Sequence, residues 1–155
     1  MAALAALHPA PAANPAAGAR LGVLTIPRLH EHVTFYEGTA RQILAKGPGH
    51  YRGTSLPGEA GTVAIAGHRV THTHPFLRLN LIRFGDILIV QTRRGRFFYR
   101  VNAKRVVLPS ATWVLFPHRK LQRLVLTACH PPHSSRYRYI VMATRTKLRR
   151  GDEVR

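Results

Sequence analysis

The chain has 155 residues, 45% of them hydrophobic, with 24 Lys and Arg against 6 Asp and Glu, giving a net charge of +18. That length suits one domain with a real core, since a chain of this size buries roughly 70% of its unfolded surface. The single cysteine excludes an intramolecular disulfide, and no apolar stretch reaches the roughly 20 residues of a membrane-spanning helix. The positive field favours anionic partners: nucleic acid, acidic lipid head groups or wall polymers. Because the basic residues are spread from Arg69 to Arg155, they suit a generally basic surface better than a dedicated binding arm.

Residues 1–20 are Ala/Pro-rich, lack a basic n-region and carry an apolar run too short for a signal segment, so they read as a disordered leader. The folded region is expected over residues 21–148. Gly22 to Ile26 reads as a strand stopped by Pro27, and Val33 to Tyr36 as another. Thr39 fits the N-cap of a short helix, Ala40 to Lys46, with Ile43 and Leu44 turned inward and Gly47-Pro48-Gly49 ending it. A turn-rich loop, His50 to Gly61, leads to a buried strand, Thr62 to Ala66, that runs into Gly67-His68. Pro75 to Leu79 fits one helical turn with proline at its first position.

From Asp86 onward the pattern is β throughout. Ile87 to Thr92 and Arg96 to Val101 flank a tight turn at Arg93-Arg94-Gly95. Lys104 to Leu108, Leu121 to Thr127 and Tyr137 to Thr144 add three strands. About eight short strands with one or two short helices predict an all-β fold, a closed barrel. Residues 149–155 are charged and are expected to form a frayed tail.

Three residues at strand ends carry potential chemistry. Cys129 follows the run ending at Thr127. A thiol becomes a useful nucleophile when a base takes its proton or its thiolate is favoured. Arg138 lies nine residues on and, across a hairpin, reaches the same sheet edge, where a guanidinium can hold a developing oxyanion. Arg136, two residues earlier, faces the same side if it lies on the strand. His68 closes the run Val63-Ala64-Ile65-Ala66-Gly67 and is a candidate general acid or base.

Two other readings use overlapping residues. His68, His72 and His74 with Cys129, His130 and His133 are ligand types suited to zinc, although no tight Cys pair accompanies them. A basic barrel with Tyr51, Phe97, Phe98, Tyr99 and Tyr137 as stacking platforms would bind nucleic acid.

The ordered set of motifs resembles the sortases, cysteine transpeptidases of Gram-positive surfaces, and most closely their class E group of actinobacterial type. The resemblance runs from about Gly22 to Lys147. It is carried by GVLTIP at Gly22–Pro27, YEGT at Tyr36–Thr39, the run GPGHYRGTSLPGEAGTVAIAGHR, then PFLRL at Pro75–Leu79, Gly85-Asp86, and VLTACHP followed by Arg138-Tyr139-Ile140-Val141. It implies a sortase β-barrel with Cys129 as nucleophile, His68 as general acid and base, and Arg138 stabilising the carbonyl oxygen or substrate backbone. Arg138 is taken over Arg136 because it directly precedes the apolar run Tyr139-Ile140-Val141.

By the same resemblance, Thr127, Ala128 and His130 are substrate-binding candidates, and neither metal nor other cofactor is required. The implied partners are a sorting-signal peptide of a secreted surface protein and an amine acceptor, either a peptidoglycan precursor or a pilin lysine. The implied location is the outer face of the cell membrane, with association to an anionic membrane or wall surface and no nucleic-acid partner. Ala128 stands where relatives carry threonine beside the cysteine, which opens a further alternative: a sortase-like domain that binds sorting peptides with little turnover. Thr62 stands where relatives often carry asparagine.

Overall fold

Burial alternates along β1, Arg20–Ile26: Leu24 and Ile26 are buried while Thr25 between them stays half-exposed. The computed structural model to which this strand belongs describes residues 14–116 and 120–154, so the expected leader lies outside the described residues as far as residue 13. Seven further strands follow: β2 Glu31–Glu37, β3 Gly49–His50, β4 Gly61–Ala66, β5 Ile87–Thr92, β6 Gly95–Val107, β7 Gln122–His130 and β8 Tyr137–Arg145. They close into a barrel in the order β1-β2-β3-β4-β7-β8-β6-β5. The pairs β2–β3 and β4–β7 are parallel, and the remaining neighbours are antiparallel. Helix is confined to α1, Arg41–Leu44, and to short 3-10 turns at Pro27–Leu29, Leu79–Leu81 and Thr112–Leu115 among the described residues. The all-β closed barrel expected from the strand pattern is thus the architecture found.

The barrel interior is filled by Leu24, Phe35, Leu88, Tyr99, Leu124 and Leu126 with their neighbours. Removing each such side chain from water contributes about 2 kcal/mol. A second, smaller cluster lies outside the barrel, where Val114 of the third 3-10 turn covers Ala64, Val125, Ile140 and Met142. β7 is therefore covered on both faces, which explains why five consecutive residues, Leu124 to Ala128, are all buried.

Several elements differ from the sequence expectation. The strands expected at Arg96 to Val101 and Lys104 to Leu108 are one strand, β6, whose register shifts between Val101 and Ala103. A bulge absorbs the extra residue without ending the ladder. The helix expected over Ala40 to Lys46 is the single turn α1, with Ala40 and not Thr39 at its N-cap and no side-chain cap. The loop expected from His50 begins inside β3, which pairs with β2 and β4. The turn expected at Pro75 to Leu79 gives a 3-10 turn displaced to Leu79–Leu81.

The margins are also tied down. Gly18 N–H donates to the Glu37 carbonyl at 2.7 Å, so residues 18–20 of the expected leader belong to the sheet edge. The C-terminal residues, expected to fray, are anchored where both terminal guanidinium nitrogens of Arg100 donate to the Asp152 carboxylate at 2.9 Å. That bidentate pair holds the Asp152 carboxyl at about 2, through the hydrogen bonds from Arg100 first and the Arg149 backbone N–H second.

Candidate active site

The strand order β4-β7-β8 brings three chain segments together, and side-chain alternation decides which residues share a face. On β7, Leu124, Leu126 and Ala128 belong to the inner core, while Val125 packs in the outer cluster. Thr127 and Cys129 follow Val125 in steps of two and so face outward. On β8, Ile140 and Met142 are outer, which places Arg138 on the same face. Cys129 and Arg138 are direct partners across the antiparallel ladder. Opposed residues on neighbouring strands have Cβ atoms about 5 Å apart.

His68 arrives from the other side. β4 runs parallel to β7 with Ala66 opposite Thr127, and Gly67 N–H continues the ladder to the Thr127 carbonyl at 3.0 Å. One more step in that register brings His68 level with Cys129. Gly67 makes this turn possible, because a Cβ there would sit 2.5 Å from the Phe76 ring. Phe76 N–H in turn donates to the His68 carbonyl at 3.1 Å. The spacing between AGHR and PF in the sequence is thus the length of a closed loop whose aromatic ring occupies the space a side chain at 67 would need.

His68, Cys129 and Arg138 line one cavity of about 220 Å³ together with Thr127, Ala128, Tyr51, Ala66, Gly67, Leu44 and Thr39. A larger cleft of about 480 Å³, between Pro15, Leu56, Pro57 and Arg94, has neither nucleophile nor histidine on its walls. On its chemistry the smaller one is the candidate site. Cys129 is a half-buried free thiol. His68 Nε2 is shielded from solvent and has no hydrogen-bond partner among the described residues. Burial, and then the charge of His72 with its ring 5.1 Å away, lowers the His68 pKa from 6.5, so the neutral imidazole is favoured. Arg138 is steadied through Nη1, which donates to the Ser135 carbonyl at 2.8 Å and the Tyr137 carbonyl at 3.1 Å. Arg136 precedes β8, is exposed, and lies over the Tyr137 ring outside the cavity.

Among the substrate-binding candidates, Thr127 lies on the cavity wall, with its Oγ1 3.1 Å from the Tyr51 hydroxyl. Ala128 borders the cavity but is only 3% exposed and packs in the inner core. His130 points the other way. Its Nδ1 accepts a 2.8 Å hydrogen bond from Arg69 Nη1, and its ring packs against Tyr139 on the inner side. It does not line the cavity.

Tyr51 and Arg69 stand out in the structure more than in the sequence. The sequence offers Tyr51 as a stacking aromatic in a turn-rich loop, not as part of the cavity around Cys129. A buried pair sets its place: His50 Nδ1 lies 2.8 Å from Glu37 Oε2, and His50 Nε2 lies 2.8 Å from the Ser55 carbonyl oxygen. Arg69, next to His68 in AGHR, is 3% exposed. A lone arginine in so basic a chain gives no sequence sign of burial.

The rival readings use these residues differently. Among the described residues no group of three His, Cys, Asp or Glu side chains is placed to hold a metal ion. Of the proposed stacking platforms, Tyr99 is wholly buried, Phe97 packs against the core, and Tyr51 faces the cavity.

The family model described as "Sortase domain" matches residues 24–146. The chain belongs to the sortase family. It is 31% identical to Sortase D of Bacillus subtilis over 76% of this chain and 58% of that protein. Sortase SrtE1 of Streptomyces coelicolor is 34% identical over 80% of this chain and 40% of that protein. The chain therefore spans roughly half the length of these curated relatives. In structure, this sortase domain is similar to the SrtA sortase from Actinomyces oris, with a TM-score of 0.81 at 29% identity, covering 86% of this chain and 83% of that one. The similarity to the Streptomyces sortase agrees with the actinobacterial resemblance of the motifs.

Proposed function

We propose that the protein is a sortase-type cysteine transpeptidase in which Cys129, His68 and Arg138 carry the reaction. The observation that supports this reading is the shared outer face: a free thiol with an imidazole on one side, whose Nε2 has no hydrogen-bond partner among the described residues, and a guanidinium on the other, all in one cavity. His68 takes the thiol proton as Cys129 Sγ attacks the threonine carbonyl of a five-residue sorting signal of LPxTG or LAxTG type. Arg138 donates to the carbonyl oxygen as it becomes an oxyanion. The C–N bond to glycine breaks, and the proton on His68 passes to the departing amine. A second amine then attacks the thioester, gives its proton back through His68, and regenerates the thiol as the new amide forms.

The acceptor in this reading is an amine of a peptidoglycan precursor or a pilin lysine. The setting is the outer surface of the membrane, where the +18 chain meets anionic membrane or wall polymers. No helix among the described residues is long and apolar enough to cross a membrane. The alternative of a binding domain with weak turnover draws on Ala128, yet that side chain packs inward and leaves the outer wall formed by Thr127 and Cys129.

The test is incubation with quenched LPxTG and LAxTG peptides and triglycine, with mass spectrometry of the protein. A thioester on Cys129 that turns over to peptide–triglycine is expected. Peptide binding without a thioester would replace the enzyme with the binding domain.

A further inference from the structure

We propose that Arg69 is a positioning residue, clamping the Cys129 end of β7 to the segment that carries His68 from the inner face of the barrel. The inference rests on the acyl-transfer reading and deepens it.

Both reacting groups sit on chain ends. His68 lies beyond the last residue of β4, and Cys129 is the penultimate residue of β7. Ladder hydrogen bonds weaken as strands end, whereas attack on a bound carbonyl needs sulfur and imidazole held in a narrow geometry. Arg69 addresses both ends. It follows His68 directly and faces inward, where its Nη1 donates to the Cys129 carbonyl at 3.4 Å and to His130 Nδ1 at 2.8 Å. Its Nη2 donates to Asn80 Oδ1 at 2.8 Å and its Nε to the Leu77 carbonyl at 3.4 Å. One planar group thus joins the His68 turn, the 77–80 segment and the end of β7.

Two further features separate this clamp from ordinary packing. The guanidinium is buried with no carboxylate within salt-bridge distance among the described residues; the Tyr139 ring, 5.4 Å from it, faces the charge instead. A buried cation without a counter-ion is costly, and an apolar side chain would fill the barrel mouth more cheaply. What an apolar side chain cannot do is fix a backbone carbonyl. Arginine also has no acceptor, so the 2.8 Å contact makes His130 Nδ1 an acceptor and puts the imidazole proton on Nε2. His130, a substrate-binding candidate from the sequence, is thereby part of the clamp.

The experiment compares Arg69→Lys and Arg69→Gln with the wild type. It measures single-turnover acylation of Cys129 by sorting peptide, its dependence on peptide concentration, and alkylation of Cys129 by iodoacetamide. Alkylation requires no alignment with a bound peptide. Lysine keeps the charge but cannot span the four acceptors. The expected result is a loss of about tenfold or more in maximal acylation rate for both variants, with half-saturation and alkylation each within about twofold of wild type. Wild-type acylation in Arg69→Lys would overturn the proposal, because charge alone would then suffice. Acylation and alkylation falling together would also overturn it, since Arg69 would then act on the thiol itself. If neither variant folds, ¹⁵N NMR of wild-type His130 decides: the proton on Nε2 supports the clamp, and a proton on Nδ1 removes it. Wild-type protein that forms no thioester would instead overturn the acyl-transfer reading on which this role depends, whatever the variants do.

Discussion

The two faces of β7 at its C-terminal end are made of alternate residues of one pentapeptide, yet they behave oppositely. Outward, Thr127 and Cys129 open onto a cavity where His68 Nε2 has no partner among the described residues and the thiol is free. Inward, Leu126 and Ala128 are fully packed, and beside them Arg69 is hydrogen-bonded to His130 and to the Cys129 carbonyl. In the proposed reading the outer face keeps polar capacity in reserve for a substrate, and the inner face uses its capacity to hold the strand still. A two-residue period lets one strand do both, so substitutions one position apart should separate reaction from stability.

Cys129→Ala should break the outer face most completely: transpeptidation falls by at least about 10³-fold, because the covalent intermediate cannot form. Its melting temperature, followed by circular dichroism, should stay near that of the wild type, since the thiol is half-buried. His68→Ala and Arg138→Ala should each lower the acylation rate by about 10²- to 10³-fold, with stability changed by less than about 1 kcal/mol. Leu126→Ala reverses the pattern. It should cost about 2–5 kcal/mol in urea unfolding while the protein that remains folded still acylates. An Arg138→Ala protein that unfolds as readily as Leu126→Ala would erase the distinction between the faces.

Smaller effects sharpen the same contrast. Gly67→Ala pushes a methyl against the Phe76 ring and should cost about 1–3 kcal/mol, with acylation reduced because His68 shifts with the turn. The smallest expected effect is in pH. In the proposed reaction His68 must be neutral to take the thiol proton, and its pKa is lowered from 6.5, so the acid limb of the acylation profile should lie below 6.5. His72→Ala removes a neighbouring positive charge and should move that limb upward. The unfolded chain binds protons at His68 and His130 more readily than the folded one does. Stability should therefore fall as pH drops through 6.5 toward the folded pKa values.

Much of the outer face was legible because its ingredients are local. Strand alternation, a hairpin with Cys129 nine residues before Arg138, and the AGHR turn are all short-range patterns that burial then respects. Arg136 was harder. It shares the parity of Arg138, and only the strand start expected at Tyr137, which is where β8 begins, leaves it just off the ladder. The inner face was not legible for a physical reason. A buried guanidinium among 24 basic residues carries no periodic signature, and two of its four partners, Cys129 and His130, come from about sixty residues further along the chain. The two-residue strand β3 and the anchored tail escaped for the same cause: each is defined by what it pairs with, not by its own pattern.

The parallel ladder between β4 and β7 has a consequence in time. Its partners, such as Ala66 and Thr127, are separated by about sixty residues of chain, and ordering a loop that long precedes any gain from the contact. The β7–β8 hairpin is local and can form early, bringing Cys129 and Arg138 together before His68 arrives. During synthesis or refolding the thiol thus meets its arginine first and its base last. Acylating competence should appear with the slowest folding phase, as a single step, when the barrel closes.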